Sequence, residues 1–442
     1  MKIRKYIYLL CATMVLSTAC SSGDSHTTDP PDVADIEGSE AQLWMDEILL
    51  LIEAEALSPP KASRVLAYTG VAIYEATVDG VPQHRSLGGQ LNGLEPLPEA
   101  SSEVEYDFEV VLHSTLGHLA SQFFDEEDSR LHLIKIAEDG LAARVDAGLG
   151  ETTVTESMQR GIEIAERLWE WAIDDGYYER NSESFTPPEG DYAWVPTGDI
   201  EDPLEPYWNT LRPFALDASD VCAAPAPAEY SSDPDSEFYQ QALEVWQISE
   251  QRNEEQEEIA QFWADDPGQT ATPPGHWMAI AGQMVDEQAM NLAEAAELYA
   301  MMGVTTGDAV ISCWDAKYES FLLRPVTYIQ RHIDESWEPF INTPRFPEYT
   351  SGHSTFSGAA AGILTAMVGE VSFSDKTHEH RGMEPRHFDN FDHAAREAAN
   401  SRLYGGIHYP MGNDGGLIQG ECVAETVLET IDLSTIDSQA LP

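Results

Sequence analysis

Apolar residues recur along this chain with the period of an α-helix, and this pattern constrains the fold more than any other feature of the sequence. One such stripe, between residues 154 and 173, consists of Met158, Ile162, Ala165, Trp169 and Ala172. The alternation of apolar and polar residues that marks half-buried strands is nearly absent. We therefore predict an all-α protein with little sheet, in which such stripes form the core.

Prolines divide the helical patterns into two groups. The first helix is predicted to begin at Ser39, with Gln42 completing a capping box, and to end near Pro59. Further helices are predicted over residues 65–76, 103–124, 129–149, 154–173, 236–263, 275–302 and 305–329. Closely spaced prolines from residue 187 to residue 213 predict an ordered crossover rather than a long helix. We therefore predict two tandem helical bundles, residues 39–235 and 236–442.

The chain is strongly acidic, with a formal net charge of -55 over 442 residues. Such a surface repels nucleic acid and anionic membrane surfaces, so neither is an expected partner. It favours solubility in salty surroundings, where screening shortens self-repulsion. Calcium binding is the alternative, but the sequence contains no twelve-residue loop of Asp and Asn ligands that ends in Glu.

The N-terminus has the pattern of an export signal. Lys2, Arg4 and Lys5 precede an apolar run over residues 6–16, and small residues lead into Cys20. This arrangement resembles a bacterial lipoprotein signal, which would be cleaved before Cys20 so that this residue carries lipid. Residues 21–38 are predicted to be a disordered tether. We expect an exported protein that is lipid-anchored to a bacterial membrane, on the periplasmic or cell-surface side of the outer membrane; an ordinary secretory signal is the alternative.

Three cysteines, Cys222, Cys313 and Cys422, lie beyond this N-terminal region. They are an odd number and far apart, which excludes a disulfide framework and a closely spaced zinc site. One bridge and buried free thiols both remain open.

Three short motifs in the second half carry cationic and imidazole side chains. Lys317 and Arg324 stand seven residues apart, or two turns of helix, so we expect both on one helical face. Basic residues on a helix are usually solvated, but apolar neighbours such as Trp314 and Phe321 favour burial. Buried cations need an anion partner.

The second and third motifs place further donors at helix ends. Ser351 is predicted to cap a helix whose first amides, at Gly352 and His353, are free to bind an oxyanion. Arg402 lies on a helix that glycines 405 and 406 should terminate, which leaves His408 in a turn. A capping serine, or an Arg and a His at a helix C-terminus, would also be ordinary structural features if each motif stood alone.

Together the motifs Lys-x6-Arg-Pro, Ser-Gly-His and Ser-Arg-x5-His resemble the signature of the superfamily of vanadium-dependent haloperoxidases and type 2 phosphatidic acid phosphatases. The resemblance is close over residues 260–431, and the N-terminal signal makes the chain similar to a bacterial lipoprotein member. It implies that the C-terminal bundle carries a pocket for vanadate, or for phosphate, which has the same shape and charge, when vanadate is absent. The binding set that it implies is Lys317, Arg324, Ser351, Gly352, His353, Arg402 and His408.

The resemblance also implies roles. The three cations would neutralise the anion, while Ser351 and the Gly352 amide donate hydrogen bonds. His408 would be the axial ligand of vanadium, or the phosphorylated nucleophile of a phosphatase. His353 would be the acid and base on the opposite side, and Lys317 would polarise a bound peroxo group.

The length of the chain and two aromatic positions favour the haloperoxidase branch. Trp314 and Phe346 match positions that line the halide pocket in that family. The implied reaction uses hydrogen peroxide to form a peroxovanadate on His408, which oxidises halide to hypohalous acid and so halogenates a small organic acceptor. The alternative is a phosphomonoesterase with a phospho-histidine intermediate, and a non-enzymatic anion-binding lipoprotein is the third hypothesis. Halide preference and oligomeric state stay open.

The sequence departs from the family pattern at two places. Many members carry Asp four residues after the ligating histidine, where this chain has Gly412, so the usual partner of His408 is in doubt. Thr350 replaces a proline. Asp265 or Asp266 is a candidate support for the active-site histidines. A further cluster, His378, His380, His387 and His393, could suggest zinc, but its irregular spacing favours a solvated loop over the site mouth.

Overall fold

The computed structural model describes residues 28–180, 183–198 and 202–434 and confirms the all-α prediction. The helices are α1 (Ser39–Ala54), α2 (Pro59–Thr77), α3 (Phe108–Leu119), α4 (Glu127–Asp146), α5 (Glu151–Ile173), α6 (Tyr177–Arg180), α7 (Glu237–Gln251), α8 (Glu254–Phe262), α9 (Thr272–Glu287), α10 (Leu292–Ser320), α11 (Pro325–His332), α12 (Gly352–Val368), α13 (Phe391–Gly405) and α14 (Pro410–Thr430). Two short strands, β1 (Phe373–Asp375) and β2 (Arg386–Phe388), form an antiparallel hairpin in which Phe373 pairs with Phe388.

The centre of the molecule is a close pair of helices, α2 and α10, which are buried on nearly all sides. Glycines allow the two backbones to approach. A Cβ atom on Gly70 would lie 2.2 Å from the Tyr299 carbonyl oxygen, and one on Gly303 would lie 2.9 Å from the Leu66 carbonyl oxygen. The main apolar core contains both helices and therefore crosses residue 235, where the sequence suggested a boundary. The division into two bundles stays a prediction.

The proline-bearing crossover is ordered where it is described and packs on α10. The amides of Phe214, Ala215 and Leu216 donate to the Asp308 carboxylate over 2.6, 2.7 and 2.9 Å. Burial raises the pKa of Asp308 to about 6, against the effect of these three hydrogen bonds. The crossover is thereby fixed beside the second half of the chain.

Several predicted helix boundaries are wrong. The predicted helices 275–302 and 305–329 do not divide near residue 303. The chain breaks instead between Glu287 and Leu292, where Ala289 has a φ of 50° and Asn291 caps α10, and α10 then continues to Ser320. The predicted 236–263 helix divides at Asn253, whose side chain caps α8 with a complete capping box. Ser39 is the first residue of α1 rather than its cap, and Gln42 donates to Asp286 instead.

One disulfide joins Cys222 in the crossover to Cys422 in α14, and Cys313 is a buried free thiol. The predicted signal, Cys20 and residues 21–27 of the predicted tether lie outside the described residues. For residues 28–38 the prediction of a disordered tether is wrong, because Val33 and Ile36 are buried in the main apolar core and Val33–Asp35 form a short 3-10 helix. Among the described helices, none combines the length and apolarity that a bilayer span requires.

Candidate functional site

The three motifs converge at one cavity of about 460 Å³, which lies where helix ends meet. Gly352, His353, Arg402 and His408 line it. Lys317 and Arg324 are fully buried behind this lining. The structure therefore brings together side chains separated by up to 91 residues in the sequence, as the spacing of the motifs suggested.

Lys317 and Arg324 do not share a helix face, and that prediction is wrong. The last turn of α10 carries Lys317, and the chain then turns at Phe321, which adopts a left-handed conformation with φ of 45°. Arg324 is the N-cap residue of α11. The two cations nevertheless meet over Phe346, since Lys317 Nζ and Arg324 Cζ each lie 4.9 Å from the centre of its ring.

Lys317 donates only to backbone carbonyls of the loop before α12. Its Nζ lies 3.1 Å from the carbonyl oxygens of Pro347 and Glu348, and it also contacts the carbonyl of Thr350. Burial lowers the pKa of Lys317 to about 8. This cation fixes the loop that delivers Ser351, and its role in binding an anion directly stays a prediction.

Arg324 is aimed at His408. Its Nη1 donates to His408 Nε2 and to the Ile407 carbonyl, both over 2.9 Å, and its Nε donates to the Phe346 carbonyl. Its Nη2 is buried and has no hydrogen-bond partner among the described residues. Burial lowers the pKa of Arg324 to about 10. The unpaired Nη2 is a donor without an acceptor in a buried place, which is costly unless a ligand supplies one.

Arg402 lies in the last turn of α13, which ends at Gly405 as predicted, with Gly406 in the left-handed conformation. Its Nη1 donates to His353 Nε2 over 3.1 Å. Burial lowers the pKa of Arg402 to about 10. None of the three cations has a carboxylate within 4.0 Å in the part of the chain that the structure describes. Three cations are thus buried around one cavity without a protein anion to pair with them.

The neighbours of His408 fix its tautomer. Arg324 can only donate, so His408 Nε2 must accept with its lone pair. His408 Nδ1 lies 2.8 Å from Glu348 Oε1 and therefore carries the hydrogen that it donates. Burial, together with the charge of Arg324, lowers the pKa of His408 well below its ordinary value. The ring is held neutral, with Nε2 as the nitrogen that can bind an electrophilic centre.

Glu348 supplies the carboxylate that the family pattern led us to seek at residue 412. A Cβ atom on Gly412 would lie only 2.3 Å from Glu348 Oε1, so the glycine makes room for this side chain. The Tyr409 amide donates to the same oxygen over 3.0 Å. Burial raises the pKa of Glu348 to about 7, and Arg324 acts in the opposite direction. The doubt about the partner of His408 is therefore resolved by a residue on another loop.

The Ser-Gly-His motif lies at the start of α12, as predicted. Ser351 is the N-cap residue and its side chain accepts from the Ser354 amide. A Cβ atom on Gly352 would meet no atom closer than 3.9 Å, because this backbone faces open space in the cavity. A small ligand can therefore approach the helix N-terminus closely.

His353 has a cation and a carboxylate near the same ring nitrogen. Arg402 Nη1 lies 3.1 Å from His353 Nε2, and Asp265 Oδ2 lies 3.9 Å from it. Burial and the charge of Arg402 lower the pKa of His353 well below its ordinary value, although Asp265 acts to raise it. Asp265, rather than Asp266, is the carboxylate next to the active-site histidine.

Trp314 and Phe346 form an apolar wall of the cavity, with ring centres 5.2 Å apart. Lys317 Nζ lies 5.9 Å from the Trp314 ring centre, so the wall adjoins a buried cation. The predicted halide-pocket residues are thus neighbours, and their role in binding halide stays a prediction.

The prediction that His378 belongs to a solvated loop is wrong. His378 is 1% exposed and packs against His276, with ring centres 4.6 Å apart. Local sequence patterns could not indicate this burial, because the partners of His378, Asp265 and His276, lie more than 100 residues earlier in the chain. His380, His387 and His393 are exposed, as expected of a surface loop.

Comparisons with known proteins point to one family. Residues 297–434 match the model of the VCPO second helical-bundle domain. The vanadium chloroperoxidase of Curvularia inaequalis is 28% identical over 186 residues, a match that covers 35% of this chain and 30% of that protein. The matched region thus spans less than a third of this curated relative.

Solved structures match along nearly the whole chain. The crystal structure described as the first bacterial vanadium-dependent iodoperoxidase is 34% identical, covers 92% of this chain and 99% of its own, and has a TM-score of 0.85. Apo and holo forms of a bacterial vanadium-dependent chloroperoxidase are each 14% identical, with TM-scores of 0.66 and 0.62. These last two show the shared fold alone.

Proposed function

Since the chain belongs to the vanadium haloperoxidase family, we propose that it oxidises a halide with hydrogen peroxide, with vanadate bound at His408 as cofactor. The observation that carries this proposal is the buried set of Lys317, Arg324 and Arg402 around one cavity, with no carboxylate within ion-pair distance among the described residues. Unpaired buried cations are costly, and a multiply charged oxyanion offsets that cost.

The residues fit vanadate in three respects. The orphaned Arg324 Nη2 has a free donor for an oxyanion oxygen. The Gly352 backbone borders open space at a helix N-terminus, where backbone amides bind oxyanions. His408 offers a neutral Nε2, and neutral imidazole is the form that ligates metals. Phosphate fits the same donors, so we propose that it occupies the site when vanadate is absent.

Bound vanadate supplies the Lewis-acid activation of hydrogen peroxide. The protein residues bind, orient and transfer protons. Arg324 and Arg402 neutralise the oxygens, and Glu348 holds the His408 ring so that Nε2 faces the cavity. His353, which is neutral because of its lowered pKa and is 15% exposed, accepts a proton from incoming peroxide. Lys317 fixes the 347–350 loop by its three carbonyl contacts.

The apolar wall of Trp314 and Phe346 is the proposed halide site. Halide is a large, weakly hydrated anion that tolerates an apolar surface beside a cation, and Lys317 provides that cation. A solved relative is an iodoperoxidase, so iodide is the halide to test first. The resulting hypohalous acid halogenates a small organic acceptor.

The test is a rate series with iodide, bromide and chloride on vanadate-loaded protein, with peroxide and with peroxide omitted. Triiodide formation and bromination of a phenol dye report the reaction. Peroxide-dependent turnover that disappears without vanadate supports the proposal. No turnover with any of the three halides on protein that binds vanadate would overturn it.

A phosphomonoesterase is the second candidate, because His408 Nε2 could equally attack a phosphate ester in this cavity. Release of p-nitrophenol from p-nitrophenyl phosphate by vanadate-free protein measures this activity. The haloperoxidase assignment requires that the rate with halide and peroxide exceed this one.

The lipid anchor is proposed from the sequence alone. Export and lipidation at Cys20 predict a membrane-associated protein that metabolic labelling with a palmitate analogue marks, and Cys20→Ser should remove the label.

A further inference from the structure

A second group of chemically active side chains lies next to His353, and one of its members, Asp265, also lines the cavity. Asp265, His276 and His378 are all buried and offer ligand atoms that lie within 4.8 Å of one another. Asp375, on β1, contacts the group from its far side. The members come from the segment before α9, from α9 and from the hairpin, so three separate parts of the chain meet here.

The distances suit a small divalent ion. Asp265 Oδ1 lies 3.3 Å from His378 Nε2, and Asp265 Oδ2 lies 2.9 Å from His276 Nδ1. Two ligands at 2.0–2.1 Å from a tetrahedral zinc ion stand roughly 3.3 Å apart. The first pair already has this separation. The second contact uses the other oxygen of the carboxylate, and one ligand atom from each of the three residues lies within 4.8 Å of the others.

Three buried polar atoms of the group are unsatisfied. Asp265 Oδ1 and both ring nitrogens of His378 make no hydrogen bond of good geometry with the described residues. The buried His378 ring has only a poorly aligned contact with Asp265, at 3.3 Å, so it recovers little of the hydration that it loses on burial. Coordination would satisfy Asp265 Oδ1 and His378 Nε2 at once.

The charges of the group also fall short of balance. Both nitrogens of His276 face carboxylates, Asp265 at 2.9 Å and Asp375 at 2.7 Å, so the ring carries two hydrogens and one positive charge. The two carboxylates and the single imidazolium leave one negative charge over. If a divalent ion replaces the hydrogen on His276 Nδ1, which leaves to solvent, the group becomes neutral.

The hydrogen that remains on His276 Nε2 would then orient the ring for metal binding. His276 Nε2 would still donate to Asp375, and metal-binding histidines commonly donate their second N–H to a carboxylate, which fixes the tautomer and raises ligand basicity. Trp263 stacks on the ring with centres 4.4 Å apart and planes inclined by 17°. The ring is therefore oriented before any ion arrives.

We propose that Asp265, His276 and His378 form a binding site for one divalent transition-metal ion of the zinc type, with Asp375 orienting His276. Two imidazoles and one carboxylate are ligands that zinc prefers, and the fourth position belongs to water. The site adjoins the oxyanion cavity, which Asp265 also lines, but metal binding does not depend on the haloperoxidase reaction.

The site is coupled to the cavity through one atom. Asp265 Oδ2, which faces His276, also lies 3.9 Å from His353 Nε2. A bound ion would therefore draw negative charge from Asp265 next to the cavity.

The experiment uses full-length, vanadate-free protein that has been stripped with a chelator and dialysed against metal-free buffer. Zinc is titrated by calorimetry at about 0.5 M salt, which shortens the Debye length to a few Å and suppresses binding to the acidic surface. Competition with a chromophoric chelator gives the affinity, and the absorption of Co²⁺ in the visible range reports tetrahedral geometry.

Three variants make the test specific. His378→Gln removes a ligand and should weaken zinc binding by about 100-fold or more, whereas Asp375→Asn should weaken it by about 10–100-fold. His380→Gln is the matched control, because His380 lies two residues from His378 but is exposed. It should bind as the unaltered protein does, and thermal unfolding checks that each variant is folded.

One ion per chain, lost selectively in the His378 variant, supports the site. Absence of a saturable 1:1 site, or equal affinity in the His378 and His380 variants, would overturn it. Because no step uses vanadate, peroxide or halide, a failed zinc titration leaves the haloperoxidase assignment standing, and a failed peroxidase assay leaves the zinc site standing.

Discussion

The oxyanion cavity and the Asp265 group treat buried charge in opposite ways. Around the cavity, Lys317, Arg324 and Arg402 are buried without a carboxylate within 4.0 Å among the described residues. In the neighbouring group, Asp265 and Asp375 are buried with His276 held between them. The two regions adjoin at His353, whose Nε2 lies 3.1 Å from Arg402 Nη1 and 3.9 Å from Asp265 Oδ2.

The pKa shifts follow from this difference. Burial lowers the pKa of Arg324 and of Arg402 to about 10, because the carboxylates near them, Glu348 for Arg324 and Asp265 and Asp266 for Arg402, offset only part of the lost hydration. Burial alone would also lower the pKa of His276, but Asp265 and Asp375 raise it to about 10. A region whose cations lack a carboxylate at ion-pair distance suits a ligand that brings negative charge, whereas the Asp265 group, with two carboxylates and one imidazolium, has one negative charge that a cation would balance.

The largest expected effect comes from removing the imidazole of His408, which lies among the buried cations of the oxyanion cavity. His408→Ala should reduce peroxide-dependent turnover by about 1000-fold or more, because no other neutral nitrogen faces the cavity in the same place. Binding of vanadate should weaken but persist, since the three cations remain. Steady-state rates and a vanadate titration measure the two quantities, and undiminished turnover would refute the assigned role.

The second largest loss of turnover is expected from changes to Glu348, whose carboxylate accepts a hydrogen bond from His408. Glu348→Gln should lower turnover by about 10–100-fold, because an amide orients the ring without the charge. Gly412→Asp alone should be poorly tolerated, since even a Cβ atom there would lie 2.3 Å from Glu348 Oε1. The double change Glu348→Ala with Gly412→Asp should recover part of the activity relative to Glu348→Ala. Double-mutant rates and thermal unfolding test this exchange, and no recovery in a folded double variant would contradict it.

In the Asp265 group, a substitution of His276 should mainly lower the free energy of unfolding. His276→Gln leaves Asp265 and Asp375 without their shared cation, and breaking a buried pair in this way costs about 3–5 kcal/mol. Urea unfolding of chelator-treated protein measures the change in the free energy of unfolding. His393→Gln, at an exposed histidine, is the control and should change it by less than about 0.5 kcal/mol.

The smallest expected effect concerns the pH dependence of anion binding in the oxyanion cavity. The pKa of Lys317 is lowered to about 8, and a bound anion would raise it, so the protein takes up a proton on binding. The affinity for the anion should therefore be highest below about pH 8, where Lys317 is charged, and should fall several-fold as the pH rises above this value. Sulfate is a suitable probe because its charge is constant over this range. A Lys317→Met variant should lose this pH dependence, and an unchanged profile would show that another group titrates.

The sequence predicted the site better than the path of the chain around it. Motif spacing placed Ser351 at a helix start and Gly405 at a helix end, because capping depends on local chemistry. It failed for the Lys317–Arg324 pair, because Phe321 adopts a left-handed conformation that non-glycine residues rarely take.

Partners that come from distant parts of the chain were harder to foresee. Glu348 was not predicted to reach His408, because the space above Gly412 exists only once the 347–350 loop is packed. His378 was assigned to solvent because Asp265 and His276 are far away in sequence. In both cases the functional contact depends on tertiary packing, which local periodicity does not contain.

The disulfide between Cys222 and Cys422 closes a covalent loop of 200 residues. All the side chains of the oxyanion cavity and of the Asp265 group that are compared above, from Asp265 to His408, lie within this loop. In the chain-entropy model, closing a loop of this size restricts the unfolded ensemble by about 5 kcal/mol. A protease that cuts an exposed turn inside the loop would release no fragment. The nicked molecule would stay in one piece, both halves of its pocket held together, until a reductant opened the bridge.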